Sequence, residues 1–146
     1  MRAKVINEGS ERTFAVILDP GDEVVSTLED FAREHSLVAS RLSAIGAFSE
    51  ATLGYFNWET KSYTHIEVSE QVEVLSLVGG IALHAGDPKL HAHVVLGRRD
   101  GSVCGGHLLR ALTRPTLEVV LTDSPSYLKR EFDPETGLPL IQIGEP

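Results

Sequence analysis

The chain has 146 residues, 42% of them hydrophobic, and a formal net charge of −8 at neutral pH. This length suits one ordinary domain, so we expect a single domain over residues 1–146. No stretch approaches the roughly 20 apolar residues of a membrane-spanning helix. The acidic balance argues against DNA binding through this chain alone, because nucleic-acid affinity depends largely on Lys and Arg neutralising phosphates. The first ten residues lack the apolar run of a secretory signal, and a lone cysteine, Cys104, fits a reducing compartment. We expect a cytoplasmic location and no membrane partner.

The first predicted elements are two short strands and a helix. The segment "KVINEGSERTFAVILDP" alternates in polarity on both sides of a Gly-Ser turn, which favours two strands. The apolar spacing then becomes helical, which predicts a helix over roughly residues 22–35. Asp22 is the predicted N-cap, and Glu23 suits the positive end of the helix dipole.

The rest of the chain has the pattern of strands. Seven short segments rich in β-branched or aromatic residues are bounded by Gly, Pro, Asp or Ser. These segments are SRLSAIGAF, EATLGYFNW, SYTHIEV, VEVLSLVGGIALHA, LHAHVVLG, SVCGGHLL and TLEVVLTD. The tail predicts a short helical turn, a loop at "DPETG" and a last strand. We therefore expect an α+β fold with a mainly antiparallel β-sheet core, one main N-terminal helix and short flanking helices.

Three histidines surround one predicted hairpin. In "LHAHVVLG" the side chains of His91 and His93 share a strand face, about 7 Å apart along the strand, while Ala92 points to the opposite, apolar face. His84, on the preceding strand, joins the histidine face if these two strands pair.

The position of His107 depends on the loop between its strand and that of His93. A two-residue loop at Asp100-Gly101 would put His107 on the wrong face, opposite Val94. A three-residue loop, with Gly101 in the left-handed conformation, puts His107 opposite His93. The Asp-Gly dipeptide favours the first register. We choose the second because it keeps Val103 outside with Val95 and puts Cys104 and Leu108 on the core side.

In that register three imidazoles converge, as in a site for a divalent metal, most simply zinc. Neutral histidine nitrogens suit zinc, and three protein ligands leave one position open for water or a small ligand. The metal ligands would be His91, His93 and His107. A polar histidine pocket, holding a small molecule or an anion without metal, stays open as the alternative.

Four further residues are candidates for supporting this pocket. His84 would lie beside the three histidines, and Gly105 and Gly106 would let a ligand approach the backbone closely. Glu118 interrupts the apolar run "TLEVVLTD". It would orient a ligating imidazole or, if the protein is an enzyme, act as its general base. A solvated strand position is the alternative for Glu118.

The chain resembles the PPC domain, conserved in plants and prokaryotes, over nearly its whole length. The most specific motifs are the His-x-His pair at His91 and His93, Gly-Gly-His at residues 105–107, and Arg130 followed by residues 133–138. The resemblance implies a fold around an antiparallel sheet and a homotrimer. Plant members join this domain to AT-hook segments in nuclear DNA-binding proteins, whereas prokaryotic members are usually stand-alone and named DNA-binding by analogy. This chain has no AT-hook.

Three functions therefore compete. The first is a trimeric domain with a histidine-lined, metal-binding pocket and no enzymatic or no defined activity. The second is a metal-dependent enzyme that uses a metal-bound water. The third is a DNA-associated regulatory protein that acts through partners. The sequence names neither a substrate nor the metal.

Overall fold

The computed structural model of the protein describes residues 1–8, 11–123 and 129–142. Within these residues the chain forms one helix and one mainly antiparallel sheet, which confirms the α+β class. None of the described helical residues forms a segment long and apolar enough to cross a membrane. The elements are β1 (Arg2–Glu8), β2 (Arg12–Leu18), α1 (Val24–Glu34), β3 (Ala39–Asn57), β4 (Ser62–Val68), β5 (Val72–His84), β6 (Asp87–Gly97), β7 (Val103–Asp123), β8 (Lys129–Asp133) and β9 (Leu138–Gln142).

Helix α1 forms where the sequence predicts it, but its N-cap is Glu23 instead of Asp22. The Glu23 carboxylate accepts hydrogen bonds from the amides of Val25 and Ser26, at 3.2 and 2.8 Å, and so satisfies two free donors of the first turn. It also accepts from the buried amide of Ala111 on β7, at 3.2 Å. The longer side chain therefore caps the helix and ties it to the sheet, while Asp22 accepts from the amide of Asp19.

Strands β3 and β7 are much longer than the predicted segments. Each joins two of them into one continuous strand, of 19 residues in β3 and 21 in β7. The sequence predicts separate strands on the two sides of Ser49, but β3 runs through this point, and Gly46 lies inside it with φ at 148°. A Cβ atom there would stand 2.3 Å from the carbonyl oxygen of Thr116, so the strands approach too closely for a side chain. The pairing register shifts at this residue, and the strand bends without ending.

Four strands close on themselves around the core. β3 pairs with β5, β5 with β6, β6 with β7, and β7 again with β3, all antiparallel. The inward side chains of these strands, together with β2 and α1, form the buried hydrophobic cluster. Its fully buried large members include Phe14, Phe31, Phe48, Leu77, Ile81 and Leu96. The opposite face of the closed strands carries the histidines of β6 and β7 together with exposed valines, Val78, Val95, Val103 and Val120.

The chain end corrects the prediction of short flanking helices. Lys129–Asp133 and Leu138–Gln142 pair as an antiparallel hairpin around the "DPETG" turn, and β8 also pairs in parallel with the end of β5. The predicted last strand and loop are confirmed. The helical turn was predicted just before them. Residues 124–128 lie outside the described part, and the residues that follow form a strand because they complete the sheet edge. In the described residues α1 is the only helix.

The cap at Glu23 gives a stability prediction. Replacing Glu23 with Ala should lower the free energy of unfolding by about 2 kcal/mol, because α1 loses its cap and the buried amide of Ala111 loses its acceptor. Urea unfolding followed by circular dichroism measures the change. The control is Glu34→Ala at the exposed end of the same helix, which should stay within about 0.5 kcal/mol of the parent protein. Equal effects of the two substitutions would contradict the double role of Glu23.

Candidate metal centre

The loop between β6 and β7 confirms the three-residue register. The amide of Arg98 donates to the carbonyl of Ser102 at 2.8 Å, and Gly101 has φ at 84° in the left-handed region. The ladder then runs regularly until His93 lies opposite His107. Ala92 and Val94 point into the core, so the histidines occupy the other face, as alternation requires.

The three histidine side chains converge at one point on that face. One nitrogen from each of His91, His93 and His107 lies within 4.8 Å of the nitrogens offered by the other two. The Nε2 atoms of His91 and His93 are 3.3 Å apart. The ring centroids of His91 and His107 are 4.9 Å apart, and those of His93 and His107 are 5.4 Å apart. Strand pairing alone therefore brings three imidazoles from two strands into one cluster.

His107 is the most enclosed of the three. Its ring stacks on Tyr63 of β4, with centroids 4.9 Å apart and an interplanar angle of 25°. Its Nδ1 atom is buried and has no hydrogen-bond partner among the described residues. Burial, with additional repulsion from His91, His93 and Arg130, lowers the pKa of His107 to about 4. The ring is therefore neutral at physiological pH, with a lone pair available to a ligand.

His91 contacts the one arginine of the site. The Nη1 atom of Arg130, on β8, donates to Nδ1 of His91 at 3.2 Å. Burial, followed by the charge of Arg130 and the neighbouring His93, lowers the pKa of His91. Neutral imidazoles are the form that binds metals, so these shifts favour coordination at neutral pH.

A pocket of about 270 Å³ adjoins the cluster. Its walls come from β4, β5, β6, β7 and the β8–β9 hairpin. The lining residues are Tyr63, His84, Lys89, Leu90, His91, His107, Arg130, Leu138, Pro139 and Leu140. His84 therefore shares the pocket, and its Nδ1 atom lies 3.4 Å from the carbonyl oxygen of Arg130. Sequence reasoning did not assign Tyr63 and Arg130 to the site. Only the motif around Arg130 signalled that this segment mattered.

The two glycines support strand packing more than the pocket. A Cβ atom on Gly105 would stand 2.7 Å from the carbonyl oxygen of Val94, and one on Gly106 would stand 2.9 Å from that of Gly54. Neither glycine lines the pocket. The close approach predicted at these glycines is therefore made by neighbouring strands.

Glu118 is not brought to the histidines. It lies on the far half of β7, opposite Ile17 of β2 and Ile45 of β3, and its side chain is exposed. Glu118 is also absent from the lining of the pocket. This corrects the expectation of a supporting carboxylate within the same chain, and the solvated alternative describes its position. The continuous strand β7, which the sequence did not predict, separates Glu118 from His107.

The donor set fits a divalent metal. Two nitrogen ligands of a tetrahedral zinc ion lie roughly 3.3 Å apart, given Zn–N distances of about 2.0–2.1 Å. The Nε2 atoms of His91 and His93 already have this spacing. His107 supplies a third imidazole nitrogen within 4.8 Å of those of His91 and His93. His91, His93 and His107 would hold the ion.

Solved structures with the same fold include two archaeal proteins. A plant- and prokaryote-conserved (PPC) protein from Pyrococcus horikoshii has a TM-score of 0.86 and 29% identity, over 92% of this chain and 94% of that chain. A protein from Archaeoglobus fulgidus described as metal-containing has a TM-score of 0.86 and 38% identity, over 96% of this chain and 99% of that chain.

A bacterial structure from Bacteroides thetaiotaomicron, which bears a provisional DNA-binding name, has a TM-score of 0.86 and 30% identity, over 96% of both chains.

Among curated proteins, the bifunctional protein GlmU of Synechococcus sp. (strain JA-3-3Ab) is 36% identical over 139 residues. The match covers 93% of this chain and 21% of the relative, so the chain spans about a fifth of that protein's length. The family model for the Plants and Prokaryotes Conserved (PCC) domain matches residues 6–125, which include α1, the β6–β7 hairpin and all three clustered histidines. By this match over most of its length, the chain belongs to the Plants and Prokaryotes Conserved domain family.

Proposed function

We propose that the protein is a metal-binding domain in which His91, His93 and His107 hold one divalent ion, zinc in the first instance. One observation carries the proposal: three imidazoles offer nitrogens within 4.8 Å of one another on a sheet face. Zinc accepts this donor set, and three protein ligands leave a coordination position for water or a small ligand. The metal-containing description of the similar Archaeoglobus protein supports the proposal.

The same geometry favours binding over catalysis. A hydrolytic zinc site commonly has a carboxylate that takes a proton from the metal-bound water. Among the described residues, no Asp or Glu lines the pocket beside the histidines, and Glu118 lies elsewhere on the sheet. We therefore propose a non-enzymatic role for the isolated chain.

DNA binding is not the function that this surface supports best. Arg98, in the turn between β6 and β7, forms an ion pair with Glu70 at 3.2 Å and also donates to Cys104. The net charge of −8 adds repulsion from phosphates.

We also propose that the domain assembles as a homotrimer. A row of side chains crosses four strands beside the metal site, where Val120, Ser43, Val78 and His93 are successive cross-strand neighbours. The valines are half exposed in the single chain, Val78 at 54% and Val120 at 49%. Covering such an apolar row with a neighbouring subunit would stabilise the assembly. The family resemblance points to three subunits.

The metal proposal predicts stoichiometric zinc. Protein purified without a histidine tag should take up about one zinc ion per chain at neutral pH, since the three histidines supply the three protein ligands of one zinc site. His93→Ala should abolish this uptake and leave the fold intact, because the side chain of His93 is exposed and lies outside the core. Elemental analysis after dialysis measures the metal, and circular dichroism checks the fold. The matched control is His65→Ala, an exposed histidine on β4, which should bind like the parent. Equal metal content in both variants would overturn the assignment.

Burial of His107 predicts how metal-free protein responds to acid. The pKa of His107 is about 4 in the folded chain and 6.5 as its ordinary value. Between these pH values the unfolded chain binds a proton that the folded chain does not. The contribution of His107 to the free energy of unfolding is therefore fully present above pH 6.5 and is lost as the pH drops towards 4. Chemical unfolding in the presence of a chelator measures the trend. In His107→Asn the fall should be shallower, and identical slopes would contradict the burial of this imidazole.

The trimer proposal predicts the mass in solution. Light scattering at micromolar concentration should give three times the mass of the chain. Val78→Asp should shift the mass towards that of the monomer, because a buried unpaired carboxylate in the apolar row is costly. Thr64→Asp adds the same charge at an exposed position of β4 and should keep the trimer. A monomeric parent protein would rule out this assembly.

A further inference from the structure

Arg130 is a partly buried cation that has no carboxylate partner among the described residues. Its Nε atom is buried and makes no hydrogen bond to any described residue. Its Nη1 atom donates to Nδ1 of His91 at 3.2 Å and to the carbonyl oxygen of Pro139 at 3.5 Å. A cation removed from water is costly unless an anion compensates it, and none of the described pocket residues is acidic.

The other cation of the pocket is already neutralised. Lys89 donates to the carboxylate of Glu29 on α1 at 3.0 Å. Glu29 also accepts a hydrogen bond from the amide of Leu90 on β6, at 3.1 Å. Arg130 is left as the uncompensated charge that faces the pocket.

The contact between Arg130 and His91 is incompatible with metal binding through Nε2 of His91. A guanidinium only donates hydrogen bonds, so Nδ1 of His91 accepts and the neutral ring carries its proton on Nε2. That Nε2 atom is the one that lies 3.3 Å from Nε2 of His93. When it serves as a metal ligand, the ring proton moves to Nδ1, which then opposes the donors of Arg130. Arg130 thereby loses its acceptor at the moment the site acquires a positive ion.

The shape of the pocket limits what takes the place of that acceptor. Its volume is about 270 Å³, which is small for a ligand site. Leu90, Leu138 and Leu140 provide an apolar wall facing the arginine and histidine side. A ligand with a short apolar group and one planar anionic group matches both walls.

We propose that this pocket binds a small monocarboxylate whose oxygens contact both the guanidinium of Arg130 and the open position of the metal site. The planar fork of arginine fits a carboxylate through paired hydrogen bonds. The apolar tail of the ligand lies against the leucines of β6 and β9. This inference rests on the proposed metal site. It also makes metal and carboxylate binding mutually reinforcing, because each favours the same rearranged Arg130.

Benzoate and its uncharged isostere benzamide test the proposal. Titration calorimetry of the zinc-loaded protein should show benzoate binding and at least about tenfold weaker binding of benzamide, since the amide cannot accept the paired charge-assisted bonds. In Arg130→Gln benzoate affinity should fall by at least about tenfold while zinc content stays at the parental level. Arg130→Lys keeps the charge without the planar fork and should lie between the two. Arg99→Gln, an exposed arginine of the β6–β7 loop, is the control and should bind like the parent.

Zinc content and benzoate affinity are measured separately, so the two proposals fail in different ways. Zinc uptake with equal benzoate affinity in the parent and Arg130→Gln overturns the carboxylate site and leaves the metal site standing. Absence of zinc uptake overturns the metal site, and benzoate titration of the metal-free protein then decides the role of Arg130. If the metal-free protein binds benzoate and Arg130→Gln abolishes this binding, Arg130 forms an anion site without metal. If the metal-free protein does not bind benzoate, the anion site is overturned. If the protein takes up zinc but its benzoate affinity is the same with and without zinc, the proposed coupling is overturned.

Discussion

Strands β6 and β7 are joined by a three-residue turn in which the amide of Arg98 donates to the carbonyl of Ser102, and this pairing determines where the three clustered histidines lie. It puts His107 directly opposite His93. Because side chains alternate, a slip of one residue would send His107 into the core beside Val94 and leave two imidazoles on the outer face. The cluster is therefore a consequence of backbone hydrogen bonds, and it needs no additional device to bring the third histidine into place.

The same two strands stabilise the fold and carry the site, on opposite faces. Ala92, Val94 and Leu96 of β6 are buried in the hydrophobic cluster, so the backbone between them is held rigidly. The intervening histidines inherit that rigidity, which is what a binding site requires of its supporting elements. Substitution of an outward histidine removes a ligand atom, whereas substitution of an inward residue would create a cavity.

The β8–β9 hairpin converts a sheet face into a pocket. The hairpin supplies an apolar wall and Arg130. Burial lowers the pKa of His91 and His107. Neutral rings, an uncompensated guanidinium and a small cavity then occur together. Their combination favours a metal ion with a compact anionic ligand over a large or cationic one.

Much of this arrangement follows from local pattern. Helical spacing predicted α1, alternation placed His91 and His93 on one face, and the polarity of the residues after the loop favoured the register of His107, because each depends on neighbours in the chain. The capping by Glu23 and the continuity of β3 and β7 escaped prediction. The Glu23 carboxylate contacts the amide of Ala111 on a distant strand, and the two long strands continue because they pair with each other. The role of Arg130 and the distance of Glu118 from the histidines were likewise decided by tertiary structure. Residues far apart in sequence meet or separate only when the sheet closes, and periodicity along one strand carries no information about that closure.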